Sequence, residues 1–269
     1  MAKQFGVIGS PIQHSKSPAI HRAAHKVLEL DWAYEKLEVK ETELETFLSS
    51  TALDGLSVTM PLKERAFAIA NVKDQAAIQS GSVNTLVRTP TGWAGHNTDV
   101  FGLIQALRDV TFSKVLVLGS GATARNAVLA VSSRSSAISI ALKARSEAKA
   151  EQLASWAQGH KIEVRVLSKP ADLEEFDLVI ATLPPQSDTT GWFTGSPSGA
   201  LLDVAYAPWP SELAKKWMAS GGNVVSGLEM LIWQAIGQLR IFTNGNVAES
   251  FKNEEELADA MRTAALSEG

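Results

Sequence analysis

Lys114-Val115-Leu116-Val117-Leu118-Gly119-Ser120-Gly121-Ala122-Thr123-Ala124-Arg125 is the stretch on which the fold turns. Its first half is a compact apolar run that reads as a buried strand. Its second half is a G-x-G-x-x-A turn opening into a helical pattern. Each small residue has a use. Gly119 permits a tight strand-to-helix turn, Gly121 lets the backbone approach a pyrophosphate, and Ala124 allows close helix-strand packing. The expected phosphate cradle is Gly119, Ser120, Gly121, Ala122 and Thr123, with N–H groups at the helix start facing the phosphates. A plain tight turn has the same letters. The strand before it and the helix after it are the context that a dinucleotide site requires.

The next strand selects the dinucleotide. An NAD site places Asp or Glu about twenty residues on, to hold the ribose 2′-hydroxyl. Here the strand ends in Lys143-Ala144-Arg145-Ser146, the first acid is Glu147, and Lys149 lies four residues beyond Arg145. Guanidinium binds phosphate through two parallel charged hydrogen bonds, so Arg145, Ser146 and Lys149 predict a 2′-phosphate and hence NADP. The competing reading is a solvated helix start with scattered charges.

Outward from this centre, apolar runs alternate with helical patterns. Strands are expected at residues 137–142, 162–167, 178–182, 201–205 and 223–225, and helices at 227–242 and 253–266. Toward the N-terminus, strands are expected at 5–8, 32–39 and 56–59, and helices from Ser17-Pro18 to about residue 30 and from Pro61. Ser17 suits an N-cap, and Thr42 with Glu45 forms a candidate capping box. Residues 83–88 and 93–96 flank Thr89-Pro90-Thr91-Gly92, a hairpin turn. Such alternation predicts a parallel, doubly wound sheet covered on both faces, and two α/β domains fit the order. One comprises residues 1–102 with 228–269 and binds substrate. The other, 103–227, is the Rossmann-type NADP domain, with the active site in a cleft between them.

Composition narrows the function classes. The chain has 269 residues, 45% hydrophobic, with a net charge of -4, no cysteine and five histidines. No basic patch suggests a nucleic-acid partner. A disulfide framework and thiolate chemistry are excluded, and no histidine spacing suggests a metal. Without a signal-like N-terminus or an eighteen-residue apolar run, a soluble cytoplasmic protein is expected, as monomer or homodimer.

Polar segments flank the N-terminal strands. Gly9 to Pro18 puts Ser15 and Ser17 at a helix start, an arrangement suited to a carboxylate. Ser57-Val58-Thr59-Met60-Pro61-Leu62-Lys63 sets a lysine just inside a helix, against its dipole, which hints at a role beyond the surface. Gly81-Ser82-Val83-Asn84-Thr85 and Gly95-His96-Asn97-Thr98-Asp99 complete the set, Thr98 reading as a cap.

In this order the segments resemble the shikimate dehydrogenase family. Its G-x-P-I-x-H-S-x-S-P opening is similar to Gly9 to Pro18, its N-V-T-x-P-x-K to Ser57 to Lys63, and its V-N-T to Val83-Asn84-Thr85. Its N-T-D-x-x-G is matched by Asn97 to Gly102, its D-x-x-Y-x-P by Asp203 to Pro208, and its G-x-x-M-L-x-x-Q by Gly227 to Gln234. The resemblance implies NADPH-dependent reduction of 3-dehydroshikimate to shikimate. It implies that Ser15, Ser17 and Tyr206 hold the substrate carboxylate, and that Thr59, Asn84 and Gln234 bind ring hydroxyls. Lys63 and Asp99 would form the catalytic pair. Gly227 and Met230 would lie near the nicotinamide, and Thr182 would join the cofactor-binding group.

Three positions depart from the family pattern: Ser57 and Arg22 stand where asparagine is usual, and Ala144 precedes the phosphate-loop arginine. Alternatives are an NAD-dependent quinate/shikimate dehydrogenase, a sensing module that binds without turnover, and a generic reductase of the same cofactor fold. The missing acid after the second cofactor strand opposes the first, and retention of Lys63 and Asp99 opposes the second.

Overall fold

The structure is a computed structural model that describes residues 2–135 and 137–267. The chain divides into two compact units, Met1–Gly102 with Ile232–Gly269, and Leu103–Leu231.

The first unit is built on β1 (Lys3–Gly9), whose last five residues are all buried. A strand covered on both faces must be apolar throughout, which is why this stretch does not alternate. After it come α1 (Ser17–Val27), β2 (Trp32–Glu38), a 3-10 turn at Glu41–Glu43, α2 (Leu44–Ser50) and β3 (Gly55–Val58). Then follow α3 (Lys63–Ile69), β4 (Val72–Lys73), α4 (Gln75–Ser80), β5 (Thr85–Thr89), β6 (Gly92–His96) and α5 (Asp99–Ala106). The sheet order is β2-β1-β3-β5-β6-β4. β1 pairs in parallel with β2 and β3, whereas β5 is antiparallel to both β3 and β6. The expected hairpin, β5 with β6, thus makes this sheet mixed. Ile8, Leu44, Leu56, Leu62 and Leu86 are fully buried and form its core with Trp93.

Two capping expectations fail. Thr42 and Glu45 form no capping box; Glu43 instead accepts from the N–H of Lys40, three residues before it. Ser17 does not cap α1. Ser15 Oγ accepts from the Ser17 N–H at 3.3 Å, because Ser17 is already helical.

The second unit contains β7 (Lys114–Leu118), α6 (Ala122–Ser132), β8 (Ser139–Lys143), α7 (Glu147–Gly159), β9 (Val164–Val166) and β10 (Ala171–Asp172). β11 (Leu178–Ala181), β12 (Phe193–Thr194), β13 (Ala200–Asp203), α8 (Glu212–Ala219) and β14 (Val224–Ser226) complete it. Its main sheet has the order β14-β13-β11-β7-β8-β9, and every pairing in it is parallel. Strand order therefore reverses between β7 and β11. In open α/β sheets, ligands bind beyond the strand C-termini at such a switch point. The turns after β7 and β11 hold Gly119 and Thr182. Finally, α9 (Gly227–Asn244) runs across the boundary between the units, and α10 (Glu254–Ser267) packs on α1.

Candidate active site

Three elements of the first unit deliver its polar cluster. Lys63 is the first residue of α3 and Asp99 the first of α5. An ammonium at a helix N-terminus is opposed by the helix dipole, by about 0.3–1 kcal/mol, whereas a charged hydrogen bond stabilises by about 1.5–3 kcal/mol. The pairing wins. Lys63 Nζ donates to Asp99 Oδ2 at 2.6 Å, with Asp99 buried and Lys63 partly exposed. Asp99 gains from its own helix start, and its N–H is held by Asn97 Oδ1 at 3.0 Å. Asn97, not Thr98, thus supplies this local cap. The Thr98 hydroxyl is instead engaged with the Asn84 side chain.

Asn84 ties the cluster together. Its Nδ2 donates to Asp99 Oδ1 at 2.8 Å and lies 3.2 Å from Gln234 Oε1. Its Oδ1 accepts from the Thr98 N–H at 2.8 Å and from the Thr85 hydroxyl at 2.8 Å. The structure thus brings Lys63, Asn84, Asp99 and Gln234 into one hydrogen-bonded group. Thr59, half-buried, follows β3, and its N–H donates to Ile8 O at 2.9 Å. Ser17, the first residue of α1, is buried.

Ser57, and three side chains that no motif marked, Tyr34, His21 and Gln238, extend this group. Tyr34 Oη donates to Ser57 Oγ at 2.6 Å, and Ser57 donates to Gln238 Oε1 at 2.8 Å. His21 stacks on Tyr34, ring centroids 4.1 Å apart, and reaches Gln238 Oε1 at 3.2 Å. Burial, with His25 close by, lowers the His21 pKa to about 3, so this ring is neutral near pH 7. Burial likewise raises the Tyr34 hydroxyl well above its ordinary range. Ser57, one of the departures from the family pattern, is thus a link between β2 and α9. Arg22, another, donates to the Tyr34 carbonyl at 3.3 Å.

In the second unit the glycine turn has the geometry that its letters predict. Gly119 has φ +118°, and a Cβ there would lie 2.3 Å from Thr182 Oγ1, so only glycine fits. Thr182 Oγ1 donates to Leu118 O at 2.8 Å and ties together the turns after β7 and β11. Gly121 caps α6 without a side-chain bond, and nothing lies within 4 Å of where its Cβ would stand. That leaves open space over the helix start, the fit that a pyrophosphate requires.

The cations after β8 have separate fates. Lys143 is buried, donates to Lys169 O at 2.8 Å and lies over the Trp192 ring. Burial lowers its pKa, and its charge is committed to the protein. Arg145 is exposed, and its guanidinium bonds to no other described residue. Ser146 Oγ caps α7 by accepting from the Lys149 N–H at 3.4 Å. Lys149 itself is exposed.

Gly227 allows no side chain, because a Cβ would meet Val204 O at 2.2 Å; Met230 follows it, buried. Tyr206 is half-buried, and burial raises its pKa. The turn before it is pinned by Asp203, which accepts from the Ala205 N–H at 3.0 Å and from the Ser211 hydroxyl.

A cavity of about 360 Å³ in the first unit, lined by Lys3, Phe5, Asp54, Val87, Arg88 and Phe242, lies apart from these residues. Its cations already donate to carbonyls, Lys3 to Phe242 and Arg88 to Leu53. Among the described residues no cluster suits a metal ion, and no helix is long and apolar enough to cross a membrane.

A parallel sheet with a glycine-turn switch point, joined in one chain to a unit carrying a partly buried Lys–Asp pair, defines a two-domain dinucleotide-dependent oxidoreductase. Residues 7–86 match the model of the shikimate dehydrogenase substrate binding domain. Over nearly its whole length the chain is similar to the solved shikimate dehydrogenase of Mycobacterium tuberculosis: 34% identity, TM-score 0.85, covering 98% of this chain and 99% of that one. The Thermus thermophilus enzyme, solved in complex with NADP(H) and shikimate, gives 27% identity and TM-score 0.82, covering 98% and 99%. A Staphylococcus aureus shikimate dehydrogenase (NADP(+)) is 29% identical over 253 residues, 90% of this chain and 92% of the relative. The chain belongs to the shikimate dehydrogenase family.

Proposed function

We propose that this chain is an NADP-dependent shikimate dehydrogenase, reducing 3-dehydroshikimate to shikimate and running in reverse. The observation that carries the reading is the Lys63–Asp99 pair, bridged by Asn84, in a chain whose cofactor turn leads to an unpaired arginine rather than an acid. The NADP-dependent relatives support the same reading.

Reduction of a ketone builds negative charge on its oxygen. Lys63 stands ready to stabilise that charge and to donate a proton, while Asp99 fixes the direction of the ammonium. Asn84 occupies the other Asp99 oxygen, so the carboxylate cannot rotate away from the lysine. Thr59, Asn84 and Gln234 hold the ring hydroxyls, and Ser15, Ser17 and Tyr206 the carboxylate. Bound NADPH supplies the hydride. Gly119, Ser120, Gly121, Ala122 and Thr123 take its pyrophosphate, with Thr182 supporting the turn. Arg145, Ser146 and Lys149 take the 2′-phosphate, and Gly227 and Met230 border the nicotinamide. Substrate is bound by residues 1–102 with 228–269 and cofactor by 103–227. With no cysteine and both charge signs interspersed, the composition suits a cytoplasmic enzyme acting as monomer or homodimer.

Nicotinamide absorbance tests this directly, with purified protein, 3-dehydroshikimate, and NADPH or NADH in parallel. Fast oxidation of NADPH and little of NADH is expected. Preference for NADH would overturn the cofactor assignment, and no oxidation with either would overturn the reaction.

A further inference from the structure

We infer that Gln238 is a positioning residue for this reaction: through one direction-fixed chain of buried hydrogen bonds it sets how Asn84 presents its amide to Asp99. The inference rests on the proposed function.

Each proton in the chain follows from its neighbour. Gln238 Nε2 lies 2.9 Å from the Asn84 carbonyl, which only accepts, so this end of the amide is the NH2 group. The second lone pair of that carbonyl takes the Val58 N–H at 2.7 Å. Gln238 Nε2 also donates to Thr85 Oγ1 at 3.1 Å. The Thr85 hydrogen then goes to Asn84 Oδ1 at 2.8 Å. Asn84 Oδ1 accepts from Thr98 N as well, so Nδ2 is the end that faces Asp99.

Gln238 Oε1 is by the same reasoning an acceptor, and it takes the hydrogen of Ser57. Ser57 must then accept from Tyr34. His21 reaches the same Oε1 and must do so through an Nε2–H, leaving its buried Nδ1 without a partner. All four hydrogen-bonding positions of the Gln238 amide are therefore used, in a residue 1% exposed. The chain runs from Tyr34 to Asp99 of the catalytic pair. Gln238 is the amide that joins the Ser57 end of the chain to Asn84.

Placement on α9 makes this possible. Gln234 and Gln238 lie four residues apart on one helix and so share a face. Gln234 meets the Asn84 amide and Gln238 meets the Asn84 carbonyl, so the helix holds Asn84 at two points.

The test compares the unmodified chain with Gln238→Leu, Gln238→Glu and Tyr34→Phe in steady-state reduction of 3-dehydroshikimate by NADPH. Gln238→Leu is expected to lower kcat/KM for 3-dehydroshikimate by about tenfold while the KM for NADPH stays within about twofold, as losing an orienting contact near one ligand requires. Gln238→Glu keeps the size and the acceptor for Ser57, but its ionised form cannot donate to Asn84. Its kcat/KM relative to the parent is therefore expected to fall as pH rises. The titratable groups facing that position are His21 directly, Tyr34 through Ser57, and Asp99 with Lys63 through Asn84. Combining Tyr34→Phe with Gln238→Leu is expected to cost less than the product of the single effects, since both cut one chain. Should Gln238→Leu fail to fold, the size-matched Gln238→Glu carries the test.

A lowered Tm with unchanged kinetics, equal changes for both ligands, a flat pH ratio for Gln238→Glu, or multiplicative single effects would each overturn the assignment. No turnover by the unmodified chain would overturn the proposed function and this inference together. An active parent with unaltered Gln238 variants would overturn this inference alone.

Discussion

Lys63 and Arg145 are both cations near the start of a helix, in different units, and the protein treats them oppositely. Lys63 has its counter-ion already at 2.6 Å, inside a cluster where buried donors and acceptors answer one another. Arg145 is exposed and bonds to no described residue, while Lys143, two positions earlier, is buried and spends its charge on backbone carbonyls. The contrast separates two kinds of site. A reacting group gains from being fixed before substrate arrives, because reorganisation then adds nothing to the barrier. An arginine that captures a phosphate can be ordered by the ligand itself, since the charged hydrogen bonds exceed the side-chain entropy lost.

The largest expected effect tests the fixed side. Lys63→Ala should lower kcat by about 10²–10⁴-fold, the usual range for loss of a general acid, with modest change in substrate KM. Asp99→Asn should lose somewhat less, because the ammonium remains but is no longer held by a carboxylate. Steady-state kinetics with 3-dehydroshikimate and NADPH measure both. A large rise in substrate KM with kcat intact would mean that Lys63 binds rather than reacts.

Stability against pH sharpens the same side. The His21 pKa is lowered from 6.5 to about 3 in the folded protein. Below pH 6.5 the unfolded chain therefore takes up a proton that the folded chain refuses. His21 contributes no pH dependence above that point, and stability falls as pH drops from about 6.5 toward about 3, by at most about 1.4 kcal/mol per pH unit. Urea midpoints measured between pH 7 and 4 should decline, and His21→Phe should decline less steeply. Identical slopes would show that His21 is not buried in neutral form.

The same contrast explains what was legible in the letters. The cofactor turn could be read because its geometry is local: Gly119 needs φ +118° and room beside Thr182, and adjacent residues declare this. The hairpin around Pro90 was legible for the same reason. Lys63 and Asp99 were marked only by motifs, since 36 residues separate them and the sheet alone brings them together. The Tyr34–Ser57–Gln238–His21 group went unread. His21 and Gln238 are 217 residues apart, and a tyrosine in a strand looks like core. One signal was present: Gln234 and Gln238 lie four residues apart on α9 among apolar neighbours, and buried amides require partners. Lys143 carries the opposite lesson. Sequence grouped it with Arg145, but as the last residue of β8 it points into the protein.

The cofactor side is tested by Arg145→Ala. Loss of a two-pronged contact with phosphate should weaken NADPH about ten- to a hundredfold, the effect of about 1.5–3 kcal/mol, and leave NADH unchanged. Fluorescence titration of the bound nicotinamide reads both. Equal losses for the two cofactors would remove the 2′-phosphate role and leave Arg145 as a general attractor of anions.

Lys149→Ala should have the smallest effect, and it decides how the phosphate is held. Its N–H already answers Ser146 Oγ, a backbone contact that alanine keeps. Only the ammonium is lost, and it is exposed. An exposed charge acting through solvent is worth about 0–1 kcal/mol and is screened beyond about 10 Å at 0.1 M salt. NADPH affinity should therefore fall about threefold at low salt and match the parent at high salt. Arg145→Ala should keep most of its defect under the same conditions, because a direct charged hydrogen bond is screened far less. If both variants lose their defects in salt, the phosphate is held by a diffuse field, and the difference drawn here between a fixed catalytic cation and a captured-phosphate arginine becomes one of degree.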